Sequence, residues 1–333
     1  MKNLNVALAG YGWWGRKMAT LITGRATRLR IAVVVEPGDE ARRAAEEAGH
    51  AAVADLAEAL ARPDVDAVIL ATPHVFHAEQ IRLAAAAGKH IFCEKPLALT
   101  EVDAVAAVRL CAERGLVLGI GHERRFEPPM AALLEACRAG DLGRIVQIEA
   151  NFSHDKFVHL AAGNWRLDPA HAPLAGMTAT GIHLTDLAIA ILGRPVSVSA
   201  YCDRLVSTIP QGDTLGALVT FEGGGNAYIS ASLGVPFVSR FAVYGSKGWR
   251  EIRDKSHVEN PTGWLVLASD AATGLTNIEE APAAEAVLDN LEAFARAALG
   301  EAAYPIATAD MVANTALLEK MGAAVASGGA VRF

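Results

Sequence analysis

The chain has 333 residues, 52% of them hydrophobic and 20% charged, with a formal net charge of −7; this composition excludes a disordered chain. The length accommodates about two domains with buried cores, and without a basic stripe no nucleic-acid or anionic-membrane partner is expected. Four scattered cysteines, Cys93, Cys111, Cys137 and Cys202, form no C-x-x-C pair and read as small buried residues of a reducing compartment. No run approaches the ~20 apolar residues of a membrane span. The first strand begins almost at Met1, so no signal peptide is expected and the predicted location is cytoplasmic.

In chain order, the apolar "NVALA" reads as a strand and "WWGRKMATLI" as the start of a helix. Between them Gly10, Gly12 and Gly15 form G-x-G-x-x-G, the spacing of a dinucleotide-binding turn. Gly10 permits the tight turn, Gly12 lets a pyrophosphate approach bare backbone, and Gly15 allows close packing of helix and strand. The phosphates lie at the positive helix N-terminus. Tyr11, Trp13 and Trp14 lie inside this stretch and are counted with it as cofactor-lining candidates, with at least one tryptophan expected to serve packing.

The second strand, "RIAVVV", ends at Glu36, about 20 residues beyond the third glycine, where such folds place a carboxylate on the ribose hydroxyls. That carboxylate repels the 2′-phosphate of NADP, so NAD is the predicted cofactor and NADP the less favoured one. Pro37, Gly38 and Asp39 offer no cation, while Arg42 and Arg43, a turn further on, are able to compensate.

Strand-like and helical stretches alternate to about residue 121, through "DAVILAT", "HIFC" and "LVLGIG". This predicts a parallel sheet covered on both faces. In "IFCEKPLALT", Lys95 stands at the carboxyl edge of a strand, the edge where open α/β sheets bind ligands. A lysine there can hydrogen-bond a substrate hydroxyl and stabilise alkoxide charge. Glu94 points to the opposite face.

After residue 122 the pattern changes. A helix at "PPMAALLEACRAG" precedes the strand "RIVQIEANF", a polar stretch from Ser153, and the helix "IHLTDLAIAILG". The strands "VSVSAYCD", "TLGALVTF", "NAYISASL" and "RFAVYG" then follow without intervening helices, and helices are predicted near 283–299 and 308–326. Adjacent strand runs imply antiparallel pairing. The predicted organisation is a dinucleotide-binding α/β domain over 1–122 and an α+β domain over 123–333.

"VALAGYGWWG", "ATPHVFHAEQIRLAAAAGKHIFCEKPLALT", "GHERRFEP", "NWR" and "GIHLTDLAIAILG", in this order, resemble the Gfo/Idh/MocA oxidoreductase family. The resemblance implies an N-terminal Rossmann domain and a C-terminal α+β domain with a large, mostly antiparallel sheet. It implies hydride transfer between NAD(P) and a hydroxyl or carbonyl of a sugar, cyclitol, cyclic diol or related polyol. Lys95 then contacts the reacting hydroxyl and His183 is the acid/base, an imidazole that titrates near neutral pH. Thr72, Pro73, His74, His77, Glu94 and Lys95 itself join the cofactor-binding candidates, and the Lys95–Pro96 bond is expected to be cis.

The sequence departs from the family pattern at three places. Ala179 stands four residues before His183 where an aspartate is usual, so His183 works without it or a carboxylate arrives from the loop, with Asp155 and Asp168 nearest. His74 and Glu123 each stand where asparagine is common. Lys156, Asn164, Arg166 and Thr180 are the substrate-binding candidates, with a structural salt bridge as the alternative for Arg166. The loop histidines have no ligand spacing, so no metal is expected. Two other activities fit the same fold: an NAD-dependent glycosidase using transient oxidation, and a non-catalytic NAD-binding regulator. The exposed sheet face is expected to join copies into a homodimer or homotetramer.

Overall fold

The structure, a computed structural model, describes residues 3–174, 176–274 and 276–333. Short apolar runs at β1 (Leu4–Ala9), β2 (Leu29–Val35), β3 (Ala52–Val53), β4 (Ala67–Leu70), β5 (His90–Cys93) and β6 (Leu118–Ile120) form one parallel sheet. Its order is β3-β2-β1-β4-β5-β6. Val6, Leu8, Val34, Val68 and Ile69 are fully buried, as β-branched and apolar residues are when helices cover both faces. The helices of this part are α1 (Trp13–Arg25), α2 (Asp39–Glu47), α3 (Leu56–Leu60), α4 (His77–Ala86) and α5 (Glu101–Glu113). The strand order reverses between β1 and β4, which makes their carboxyl ends the ligand-binding crevice of a doubly wound sheet.

The second part contains α6 (Pro128–Ala139) and α7 (Ile182–Leu192), with strands β7 (Ile145–Ser153), β8 (Pro195–Asp203), β9 (Thr214–Phe221), β10 (Asn226–Ser232), β11 (Val238–Gly245), β12 (Gly248–Asp254), β13 (Trp264–Asp270) and β14 (Thr276–Ala281). Helices α8 (Ala286–Ala298) and α9 (Thr308–Ser327) and the short β15 (Val331–Arg332) complete the chain. The nine-stranded sheet runs β14-β13-β12-β11-β7-β10-β9-β8-β15. All its pairs are antiparallel except β7 with β10. Burial alternates strictly along β9, the signature of a sheet with one face packed and one open. Met130, Leu133, Leu187, Leu317 and Met321 pack on the covered face against Ile148, Val219 and Ile229.

Two compact units result: 1–123 with 287–312, and 124–286 with 313–333. The continuous division 1–122 and 123–333 does not anticipate the return of 287–312 to the first unit. There the Phe294 ring meets Phe92 edge-on with centroids 5.6 Å apart, and Gly119 leaves room for both rings. The Ile120 carbonyl accepts from Asn290 Nδ2 at 2.9 Å and from the Tyr304 hydroxyl at 3.0 Å, which covers the sheet edge at β6. Strands β3 and β12–β15 also lie outside the sequence expectation. Among the described residues no helix is long and apolar enough to cross a membrane.

Candidate cofactor-binding and catalytic site

The glycine turn lies between β1 and α1. Gly10 has φ +92°, and a Cβ there would stand 2.5 Å from the Ala71 carbonyl oxygen beyond β4, so the two strand ends meet with only a glycine between them. A Cβ on Gly15 would lie 1.9 Å from the Gly10 carbonyl oxygen, which fixes how closely α1 approaches β1. Gly12 has no heavy atom within 4 Å of a built Cβ, and it precedes α1 without a side-chain cap. The open backbone and the uncapped N–H groups of the helix start suit a pyrophosphate. Tyr11 is buried, while Trp13 is exposed and stacks at a tilt on Trp14 with centroids 5.1 Å apart.

Glu36 closes this cradle from β2. Its Oε2 accepts the Tyr11 N–H at 2.8 Å and its Oε1 the Gly38 N–H at 3.0 Å, leaving acceptor capacity on both oxygens. Arg42 does not reach out as a phosphate receptor. Its Nη1 donates to the Glu36 and Pro37 carbonyls at 3.0 Å each, and Nη2 pairs with Asp39. Replacing Glu36 by Ser is expected to lower NAD affinity roughly ten- to a hundredfold, the worth of a charge-assisted bond, and to leave NADP affinity unchanged or improved. Fluorescence titration with the two reduced cofactors reads both.

On the other side of the crevice, Thr72 and Pro73 follow β4, and His74 lies in a 3₁₀ turn over His74–Phe76. His77 is fully buried. Its Nδ1 lies 2.7 Å from the Pro96 carbonyl and its Nε2 3.0 Å from that of Thr72. Burial lowers its pKa, and Lys95 adds to that, against the two carbonyl contacts. A neutral ring donates to one of these carbonyls only. His77 therefore braces the turn that presents Lys95, a positioning part. The Lys95–Pro96 peptide is cis, as expected.

Glu94 is buried beside this turn, with Oε2 accepting the Lys95 N–H at 3.2 Å. Burial, then the charge of Glu123, raises its pKa from 4.5 to about 7; Trp14 and Lys95 oppose the rise. The folded value lies above the unfolded one. The stability Glu94 contributes is therefore fully present below about pH 4.5 and lost as the pH rises through about 7. Glu94→Gln is expected to flatten the fall in Tm across that window, read by thermal melts at constant ionic strength.

In the second unit a π-helical turn, Met177–Gly181, runs directly into α7, whose second residue is His183. Such turns often occur at functional sites. Asp186, one turn beyond His183, receives a buried two-pronged ion pair from Arg125 at 2.7 Å on each oxygen, which holds this helix. Ala179 packs with Ile209, Leu233, Phe157 and Leu167, so an aspartate there would be set among apolar side chains. The Thr180 hydroxyl bonds the Phe152 and Gly176 carbonyls at 2.8 and 3.0 Å. Lys156 pairs with Glu259. The Asn164 Oδ1 accepts the Arg166 N–H at 3.0 Å, and the Arg166 guanidinium lies 4.3 Å over the Trp165 ring. Each of these four substrate candidates thus has a structural task.

Around Phe152 the structure gathers His154, His183 and His257, with ring centroids 5.8–6.5 Å from it. Arg124, buried and paired with Asp254 and Glu127, lies 5.4 Å over the same ring. His257 and Glu259 are absent from the sequence reading, since nothing local in "SHVENP" marks them. Among the described residues no group of three or more His, Cys, Asp or Glu is placed to hold a metal ion.

Fold and cradle together define a Rossmann-type dinucleotide-binding unit in a chain that carries a second, sheet-bearing unit. The sequence model "Oxidoreductase family, NAD-binding Rossmann fold" of Gfo/Idh/MocA matches residues 4–122, and the "GFO/IDH/MocA C-terminal domain" matches residues 130–251. The chain belongs to the Gfo/Idh/MocA oxidoreductase family. It is similar to 4-carboxy-2-hydroxymuconate-6-semialdehyde dehydrogenase of Sphingobium sp., 39% identical over 42% of this chain and 44% of that protein. It is also similar to inositol 2-dehydrogenase of Rhizobium meliloti, 29% identical over 72% of this chain and 73% of that one. The alignments to the first curated relatives span about half their length, 44% and 54%. Aldose-aldose oxidoreductase from Caulobacter crescentus shares the fold, with TM-score 0.86 and 24% identity over 99% of this chain and 100% of that one.

Proposed function

We propose that the protein is an NAD-dependent dehydrogenase acting on a hydroxyl of a cyclitol, sugar or related ring polyol. The observation that carries this reading is the Lys95 turn. An amine stands at the carboxyl edge of β5, on a turn braced by His77 and Glu94, in the same unit as an open phosphate cradle ending at Glu36. Gly10, Gly12, Gly15 and Glu36 hold the dinucleotide. When bound, NAD supplies the hydride-accepting carbon. Lys95 donates to the substrate oxygen and stabilises alkoxide charge as it develops. His183 takes the hydroxyl proton.

Arg42, tied to carbonyls and Asp39, supports NAD over NADP. The inositol 2-dehydrogenase relative supports a cyclitol or sugar as substrate. The open face bearing Tyr201 and Tyr228, both exposed, serves as a contact between copies in a homodimer or homotetramer. A panel of cyclitols, aldoses and sugar acids, followed by absorbance of reduced cofactor, tests the reading. At least one member is expected to yield NADH in proportion to oxidised product. Cofactor reduction by none of them, with NADH also failing to bind, would overturn it.

A further inference from the structure

We propose that Asn314 is a positioning residue for His183, gripping from α9 the peptide group that carries the imidazole. The task of the imidazole rests on the function proposed above; the grip itself does not.

The turn Ile182–Asp186 is buried throughout, and Asn314, only 2% exposed, meets it from α9. The Asn314 Nδ2 donates to the Ile182 carbonyl at 3.0 Å, and its Oδ1 accepts the Thr185 hydroxyl at 2.6 Å. That hydroxyl also lies 3.0 Å from the Ile182 carbonyl, which closes the three groups into a ring. The carbonyl only accepts, so the amide has one workable orientation, nitrogen toward Ile182 and oxygen toward Thr185. A helical carbonyl has a second lone pair. Here a residue 132 positions further along the chain takes it.

The π-helical turn explains what such a grip is for. Met177–Gly181 ends where α7 begins, and His183 lies two residues beyond it. A π turn holds one residue more than the α-helical winding it replaces. Slippage of that residue would rotate everything after it by about 100°. The Thr180 hydroxyl anchors the turn itself on the Phe152 carbonyl at 2.8 Å, and Arg125 anchors Asp186 further on. Asn314 holds the link between them, the peptide from Ile182 to His183. Ala179, one turn before His183, offers no carboxylate to orient the ring, which leaves more to the backbone that carries it.

Steady-state kinetics and nitrogen NMR of histidine-labelled protein test the grip, with the His183 signal assigned by its loss in His183→Gln. Asn314→Ala is expected to lower kcat about 10- to 100-fold, the cost of displacing a reacting group by about 1 Å. KM and NADH affinity are expected to stay within about threefold, since neither cradle nor turn at Lys95 is touched. Should that variant not fold, Thr185→Val removes the hydroxyl and keeps the shape, with the same loss expected. Thr185→Ser retains the hydroxyl and is expected to recover both kcat and the wild-type His183 signal. An unchanged kcat in the folded variants, or an equal loss in Thr185→Val and Thr185→Ser, overturns the grip. A wild type that reduces no cofactor on any substrate sinks the dehydrogenase reading instead. The grip then stands on a His183 signal shifted in Thr185→Val and not in Thr185→Ser.

Discussion

Lys95→Ala is expected to lower kcat for NAD-dependent oxidation by about 100- to 10,000-fold, the usual worth of a positioned proton-handling or charge-stabilising group. NADH affinity is expected to stay within about threefold, because the cradle at Gly10, Gly12, Gly15 and Glu36 is built without the amine. The backbone of the turn also survives. Its contacts run through the Pro96 carbonyl to His77 and through the Lys95 N–H to Glu94, and alanine keeps both. The loss should therefore appear in kcat and not in folding. Lys95→Arg sharpens the test. A guanidinium retains the positive charge but does not give up its proton at accessible pH, so Arg rescues only whatever fixed charge supplies. Steady-state kinetics with a cofactor-binding titration separate the cases, and an unchanged kcat in Lys95→Ala would remove the amine from the mechanism.

The parts of this site that were legible in the sequence are local in sequence. Gly10 to Gly15, Glu36 and the Glu94–Lys95–Pro96 stretch each end or follow a strand whose apolar run is unmistakable, and the sheet order places them on one edge. The parts that were not legible depend on partners far along the chain. Lys156 and Arg166 read as substrate receptors because their cationic groups are visible in the sequence. The Glu259 that pairs with Lys156 lies far along the chain; Trp165 is the neighbour of Arg166, and only the fold shows its ring beneath the guanidinium. Ala179 likewise looked like a missing charge, whereas Ile209 and Leu233 make its place apolar.

Strand β12 was hidden for a related reason. Its Glu251 lies on the face opposite the core residue Ile252 and is covered there by Arg240 and Arg253, which pair with it. With Arg250, Glu251, Arg253 and Asp254 around it, Ile252 leaves too little apolar alternation for the strand to be recognised. Strand β3 is only two residues long and leaves too little pattern to read.

Gly15→Ala and Gly12→Ala are expected to part company, and the contrast tests the cradle. At residue 15 the new methyl would lie 1.9 Å from the Gly10 carbonyl oxygen. That neighbour is backbone, and Gly10 is itself pinned by its N–H bond to the Val35 carbonyl at 2.8 Å and by the nearby Ala71 carbonyl. Either α1 or the turn must move by about 1 Å or more in a close-packed core. Overpacking of this kind costs about 1–3 kcal/mol and sometimes more, and the same displacement spoils the phosphate-binding backbone. Gly15→Ala should lose both Tm and NADH binding. At residue 12 a methyl meets no heavy atom within 4 Å, so Tm should hold. The methyl would still occupy the space through which a pyrophosphate reaches the helix start, and NADH affinity is expected to fall about tenfold or more. Thermal melts beside fluorescence titration give both numbers for each variant, and Gly12→Ala binding NADH as tightly as wild type would place the pyrophosphate elsewhere.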